Sequence, residues 1–308
     1  MLGQGGFGDV QLVYFDSPGV PKQPYALKSI QKCRIVQHGQ QRHIMDEKNI
    51  LSVLDSDFIV RLRMTFKDTK RVYLLTDAYL GGDLYRLLSS RGPFPDMVAK
   101  FYVACVIEAF DYMHRRGIVY RDLKPENLML HQNGYLKLVD LGFAKKVPSG
   151  GKTYTFCGTP EYISPEIIAN AGHNIASDYW ALGILIYELL SRKTPFRAKD
   201  DLTVYENALK GIHGIHFSNR IGRKAESLIK ALCRQLPIER LGYQKGGVND
   251  IKKHKWYSGF DWEGFHVLAL PGPILPEIND PMGDLRNAKP LRRDIDIPEE
   301  TSGWDATF

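Results

Sequence analysis

Cysteine is scarce in this sequence and none of it is paired: Cys33, Cys105, Cys157 and Cys233 are scattered through 308 residues without a C-x-x-C spacing. Their scatter argues against a zinc cage or a secreted disulfide framework and fits a reducing, cytoplasmic setting. Long hydrophobic runs are missing too. The longest apolar stretch, Trp180 to Leu190, carries Tyr187 and Glu188. It is too short to cross a bilayer, and Met1-Leu2-Gly3 opens no signal peptide, so no integral membrane segment is expected. The charge excess is small, 41 Lys and Arg against 35 Asp and Glu, for a net +6. The basic residues are spread along the chain with no aromatic stacking motif beside them, so nucleic acid is not an expected partner.

A chain that is 44% hydrophobic and 25% charged can bury a substantial core. From Gly3 to about Asp77, β-type runs such as Val10 to Tyr14 and Val72 to Leu75 surround one helical segment carrying Ile44, Glu47, Leu51 and Leu54. Beyond Gly81-Gly82 the pattern turns helical, with Val98, Phe101, Cys105, Ala109 and Tyr112 on one stripe and Ala225, Leu228, Ile229 and Leu232 on another. A small sheet-based lobe and a larger helical lobe are expected, joined at a short seam, Asp77 to Gly82, whose paired glycines suit a hinge. Six of the 17 prolines fall between Pro271 and Pro298, which predicts an extended tail and not a third domain.

The chemistry concentrates in Tyr120-Arg121-Asp122-Leu123-Lys124-Pro125-Glu126-Asn127, followed by Asp140-Leu141-Gly142. Asp122 would orient and deprotonate an acceptor hydroxyl, and Lys124 would offset charge on the moving phosphoryl group. Asn127 and Asp140 supply hard oxygen ligands for Mg²⁺. Upstream, Gly3, Gly5 and Gly8 free backbone N–H groups to approach a triphosphate, and Val10 would pack on the adenine. Lys28 lies between apolar neighbours and needs an anion to hold it, with Glu47 as the expected partner.

With Ser164-Pro165-Glu166, these motifs stand in the order of the eukaryotic protein kinases, and the chain resembles that superfamily nearly throughout. Asp140-Leu141-Gly142-Phe143-Ala144-Lys145-Lys146, Thr155 to Tyr162 and His254-Lys255-Trp256 resemble the AGC group. Ala78 to Leu84, Gly259 to Gly264 and Ser302 to Phe308 resemble the catalytic part of cyclic-GMP-dependent kinases. The resemblance implies an α+β, bilobal protein kinase fold: a small antiparallel-sheet N-lobe with one main helix (1–78, first strand truncated at Met1), a helical C-lobe (79–257) and an AGC-type tail (258–308). It implies ATP and Mg²⁺ as cofactors, with Leu2, Gly3, Gly5, Gly8, Val10, Ala26, Lys28, Thr76, Asp77, Tyr79 and Asp83 around the nucleotide.

It further implies that Thr155 is an activation-loop phosphosite, filled by an activating kinase or by autophosphorylation, its phosphate held by Arg121, Lys145 and His43. Thr159 would contact Asp122 and Lys124. Glu166 and Arg240 would pair, Asp178 would anchor the catalytic loop, and Leu51, Leu62, Tyr120 and Leu141 would stack between the lobes. The expected partners are protein substrates with basic residues before Ser or Thr, bound by Asp83, Glu126 and Glu188. Phe156, Pro160 and Ile163 would take the residue after the target. Trp304 and Phe308 either clamp the small lobe or belong to a frayed end.

The sequence departs from the pattern at Leu141, Ser164 and Thr76, and at Gly283 to Asn287, which lacks an aromatic-acid cluster. Two rivals remain in view. One is a kinase-fold scaffold, or a weakly active truncated kinase, whose shortened first strand keeps it from binding ATP productively. The other is a nicotinamide dehydrogenase, which would require a helix after Gly8 where Val10 to Phe15 reads as a strand.

Overall fold

The structure is a computed structural model that describes residues 3–4, 8–14, 23–277 and 297–308. Leu2, Gly5 and Gly283 to Asn287 lie outside the described residues.

The N-terminal lobe is a five-stranded antiparallel sheet of β1 (Gly3–Gln4), β2 (Gly8–Tyr14), β3 (Pro24–Gln31), β4 (Leu62–Lys67) and β5 (Arg71–Asp77), in the order β1-β2-β3-β5-β4. Val72 and Leu74 alternate into the interior from β5, as a half-buried strand requires. The register pairs Val10 with Lys28 and Ala26 with Thr76, so the glycine-loop strand, the lysine and Thr76 share one neighbourhood. A strand follows Gly8, which removes the dinucleotide-binding geometry. At Gly8 itself a Cβ would come within 2.4 Å of the Ser29 carbonyl oxygen.

Two helices follow β3, the short α1 (Lys32–Gln37) and the main helix, α2 (Gln41–Val53). The second is the expected segment, burying Ile44, Glu47, Ile50 and Leu51. Gly81 permits the close crossing at the seam, since a Cβ there would meet the Leu130 carbonyl oxygen at 2.4 Å. The Leu130 N–H donates to Gly82 O at 2.8 Å.

The larger lobe is built from α3 (Leu84–Arg91), α4 (Asp96–His114), the short strands β6 (Ile118–Val119), β7 (Leu128–Leu130), β8 (Leu136–Leu138) and β9 (Lys145–Lys146), then α5 (Pro165–Ile168), α6 (Ala176–Ser191), α7 (Asp201–Lys210), α8 (Arg223–Leu232), α9 (Val248–Lys252) and α10 (Trp262–His266). Helices α4 and α6 are apolar on nearly every side and form the middle of the core, packed on each other, with α8 against α6. Asp83 starts α3 by accepting from Arg86 N at 2.8 Å, and Asp200 starts α7 by accepting from Thr203 N at 2.9 Å.

The last described segment returns to the small lobe. Asp305 pairs with Lys32 at 2.6 Å, Glu300 N donates to Thr69 O at 3.2 Å, and Lys48 lies over the Phe308 ring. Trp304 and Phe308 pack against the core, so the clamped end and not the frayed one is found. Among the described residues no helix is long and apolar enough to cross a membrane.

Candidate active site

Polar side chains converge where the two lobes meet. Lys28, on β3, donates to Glu47 Oε1 of α2 at 2.7 Å and stands 3.5 Å from Asp140 Oδ1. Burial disfavours the Lys28 charge, but the carboxylates of Glu47 and Asp140 outweigh it and hold the ammonium pKa well above its ordinary value. The Asp140 carboxyl is held below the usual carboxylate range by the Lys28 charge, against burial, with help from the Gly142 N–H. Asp140 adopts φ 53° and Arg121 φ 73°, left-handed conformations that non-glycine residues hold only when their surroundings enforce them.

For Arg121 the enforcing group is Asp178, at the start of α6. Its Oδ2 accepts from Tyr120 N and its Oδ1 from Arg121 N, both at 2.9 Å, and His114 Nε2 lies 2.7 Å from Oδ2. The loop so fixed presents Asp122, a buried carboxylate. Thr159 Oγ1 donates to its Oδ1 at 2.9 Å, while Lys124 Nζ and the Asn127 amide each donate to Oδ2 at 2.9 Å. Lys124 Nζ also reaches Thr159 Oγ1 at 3.1 Å. One carboxylate, one ammonium, one amide and one hydroxyl therefore form a single network.

The site suits a magnesium nucleotide. Asp140 and the Asn127 amide oxygen are hard donors of the type Mg²⁺ prefers. Glu47 Oε2 is buried without a hydrogen-bond partner, and a Cβ at Gly142 would sit 3.3 Å from Asp140 Oδ1 and 3.9 Å from Lys28 Nζ, so the glycine keeps this corner open.

The other expected residues fall into two groups. Thr76 donates weakly to Ala26 O at 3.5 Å, and Ala26 pairs with Leu12, two residues along β2 from Val10. Asp77 is engaged by Arg63 at 2.6 and 3.0 Å, and the Tyr79 ring packs edge-on to His131, so neither carries a free side chain. The Asp83 carboxylate is likewise occupied, by the α3 N-terminus and by Arg86 Nε at 3.2 Å.

Glu126 and Glu188 do meet, on a cavity of about 610 Å³ outside the catalytic loop. Glu161 joins them there, a residue the sequence reading passed over although it lies inside the Thr155 to Tyr162 motif. Phe156 is exposed and stacks edge-on to Tyr205, Pro160 is half-buried, and Ile163 is buried. Thr155 is half-buried. Of its three expected clamps, Lys145 donates to Thr153 Oγ1 at 3.1 Å, and the exposed His43 is hydrogen-bonded to Gln40. Arg121 donates to Phe143 O at 2.7 Å and keeps Nη1 buried without a partner.

Glu166 and Arg240 form a bidentate pair, both contacts at 2.6 Å, in which the guanidinium is fully buried. Leu51, Tyr120 and Leu141 are buried, and Leu62 packs against the same core.

Residues 1–257 match the protein kinase domain. The chain belongs to the protein kinase family. Within that family its whole length is 53% identical to the cGMP-dependent protein kinase egl-4 of Caenorhabditis briggsae, covering 41% of that protein. It is 53% identical to human cGMP-dependent protein kinase 2 (40% of that protein covered) and 51% identical to isozyme 1 of Drosophila melanogaster (40% covered). The chain thus spans about two fifths of the length of these relatives. Protein kinase domains in general use ATP and a divalent metal.

Proposed function

We propose that this chain is the catalytic domain of a serine/threonine protein kinase that uses ATP and Mg²⁺ and acts in the cytoplasm on Ser or Thr in Arg/Lys-rich sequences. The observation that carries the proposal is the Asp122 network, a buried carboxylate aimed by three donors, beside a lysine held between two acids.

Asp122 Oδ1 faces the acceptor. It orients the hydroxyl and takes its proton as the new O–P bond forms and the bond from the γ-phosphorus to the bridging oxygen breaks, releasing ADP, a general-base contribution of about 10²–10⁴-fold. Lys124 offsets charge on the transferring group, and Thr159 keeps Asp122 turned outward. Lys28, fixed by Glu47, holds the nucleotide phosphates. Magnesium, when held by Asn127 and Asp140, neutralises phosphate charge. Chain segments 1–78, 79–257 and 258–308 act as N-lobe, C-lobe and tail, with Thr155 as the phosphosite that orders the activation loop through Arg121.

The formed Lys28 to Glu47 pair favours this assignment over an inert scaffold. Transfer of labelled phosphate from ATP to an Arg-Arg-x-Ser peptide by this chain tests it. No transfer, together with no Mg·ATP-dependent rise in melting temperature, would establish the scaffold instead.

A further inference from the structure

The activation loop is pinned, ahead of Thr155, to the short loop that precedes α6. Thr153 and His173 face each other as an isolated antiparallel pair, and each N–H donates to the other's carbonyl oxygen at 2.9 Å. Both residues are buried, which shields this pair of bonds from water. Lys145 Nζ holds Thr153 Oγ1 at 3.1 Å, and Lys152 Nζ donates to Ala171 O at 3.2 Å. Between these contacts stands Tyr154, which is 62% exposed yet lays one edge of its ring on Gly172. A Cβ at Gly172 would come within 2.7 Å of Tyr154 Cε1 and 2.9 Å of Cζ, and the residue holds φ 76°. Backbone and ring both demand glycine there.

The same stretch of chain ends at the catalytic carboxylate. Thr159 Oγ1 donates to Asp122 Oδ1 at 2.9 Å, and Gly158 passes so close to the catalytic loop that a Cβ would stand 2.9 Å from Arg121 O. One helix start lies under both ends. Ser177 Oγ donates to Asn174 O at 2.8 Å and Ala176 N to Asn174 Oδ1 at 3.0 Å, so the residue after His173 is tied to the first turn of α6. From that turn Asp178 fixes the backbone of Tyr120 and Arg121. We propose that Tyr154, seated on Gly172 beside the Thr153 to His173 pair, is a positioning residue for phosphoryl transfer: it holds the activation loop against the start of α6 and thereby keeps Thr159 aligned with Asp122. The inference rests on the kinase function proposed above, with Asp122 as the base.

Asp178 aims Asp122 from one side of this helix start, and the seated ring aims Thr159 from the other. The spacing between the two oxygens then follows from one rigid turn of helix and not from the length of loop that joins them. Without the ring the loop can slide over Gly172, and Thr159 leaves the carboxylate it keeps turned outward. A shift of about 1 Å at such a group can cost about 10²-fold in rate. Because the ring is mostly in solvent and lies outside the hydrophobic core, its loss should appear in the chemical step and not in the melting temperature.

The test is single-turnover phosphorylation of an Arg-Arg-x-Ser peptide by the whole chain at saturating peptide and Mg·ATP, with amide hydrogen exchange followed in parallel. Tyr154→Ser should slow transfer by about tenfold or more while nucleotide affinity and melting temperature stay at the parent values. The amides of Thr153 and His173 should exchange faster in that variant. Tyr154→Phe keeps the ring and should restore both the rate and the protection. An unchanged rate in Tyr154→Ser, or a loss that Tyr154→Phe leaves uncorrected, would overturn the assignment. So would a raised peptide KM at an unchanged saturated rate, which would make Tyr154 a substrate contact, and so would a slowed rate accompanied by a lowered melting temperature. A parent chain that transfers no phosphate would fail the kinase reading instead, and there unchanged exchange in Tyr154→Ser would still overturn the role given to the ring.

Discussion

At the scale of single residues, the proposed chemistry depends on how few groups touch Asp122 Oδ1: among the described residues Thr159 alone donates to it, while Lys124 and Asn127 occupy Oδ2. Asp122→Asn should therefore keep the fold and nucleotide affinity while turnover falls by about 10²-fold or more. Steady-state phosphorylation and nucleotide titration together check this, and unchanged turnover would remove Asp122 as the base. Thr76 is small, sits opposite Ala26 in the sheet, and is proposed to border the back of the adenine site. Thr76→Met should weaken inhibitors that extend behind the adenine by about tenfold or more, because the thioether fills the space they need. Equal inhibition constants for the two proteins would refute the open rear pocket.

At the scale of elements, what sequence revealed depended on distance along the chain. The spacing from Asp122 to Asn127 and the stripe from Ile44 to Leu51 are local patterns, and they correspond to a fixed loop and to α2. The small lobe's first helix, α1, was not visible, because six residues give too short a period to separate from the strand before them. Asp83 was read as a ligand for substrate, and the fold gives its carboxylate a second task that the sequence did not show, accepting from the N–H of Arg86 at the start of α3. Glu166 and Arg240 are far apart in sequence, and only the family resemblance joined them. Glu166→Gln leaves the buried guanidinium uncompensated and should cost about 3–5 kcal/mol. A lowered urea midpoint is the readout, and a shift of under about 1 kcal/mol would show that the pair does not hold the fold.

At the scale of the molecule, the end of the chain is held on the small lobe by Lys32 and Asp305, both buried and joined at 2.6 Å. Sequence carried no sign of this pair. Burial raises the Asp305 carboxyl and the hydrogen bond and charge of Lys32 lower it, with the net effect downward. A depressed folded pKa means that the stabilisation is present above the unfolded value of about 4 and is lost as pH falls through the folded one. Asp305→Asn should be less stable than the parent near pH 7 and lose less on acidification to pH 3, as followed by thermal melts. Parallel acid profiles for the two proteins would rule out the coupling. The Asp178 carboxylate has a wider consequence. It sets the bend that carries Asp122, the proposed proton acceptor, so loosening around α6 should silence the enzyme while its nucleotide cleft still looks intact.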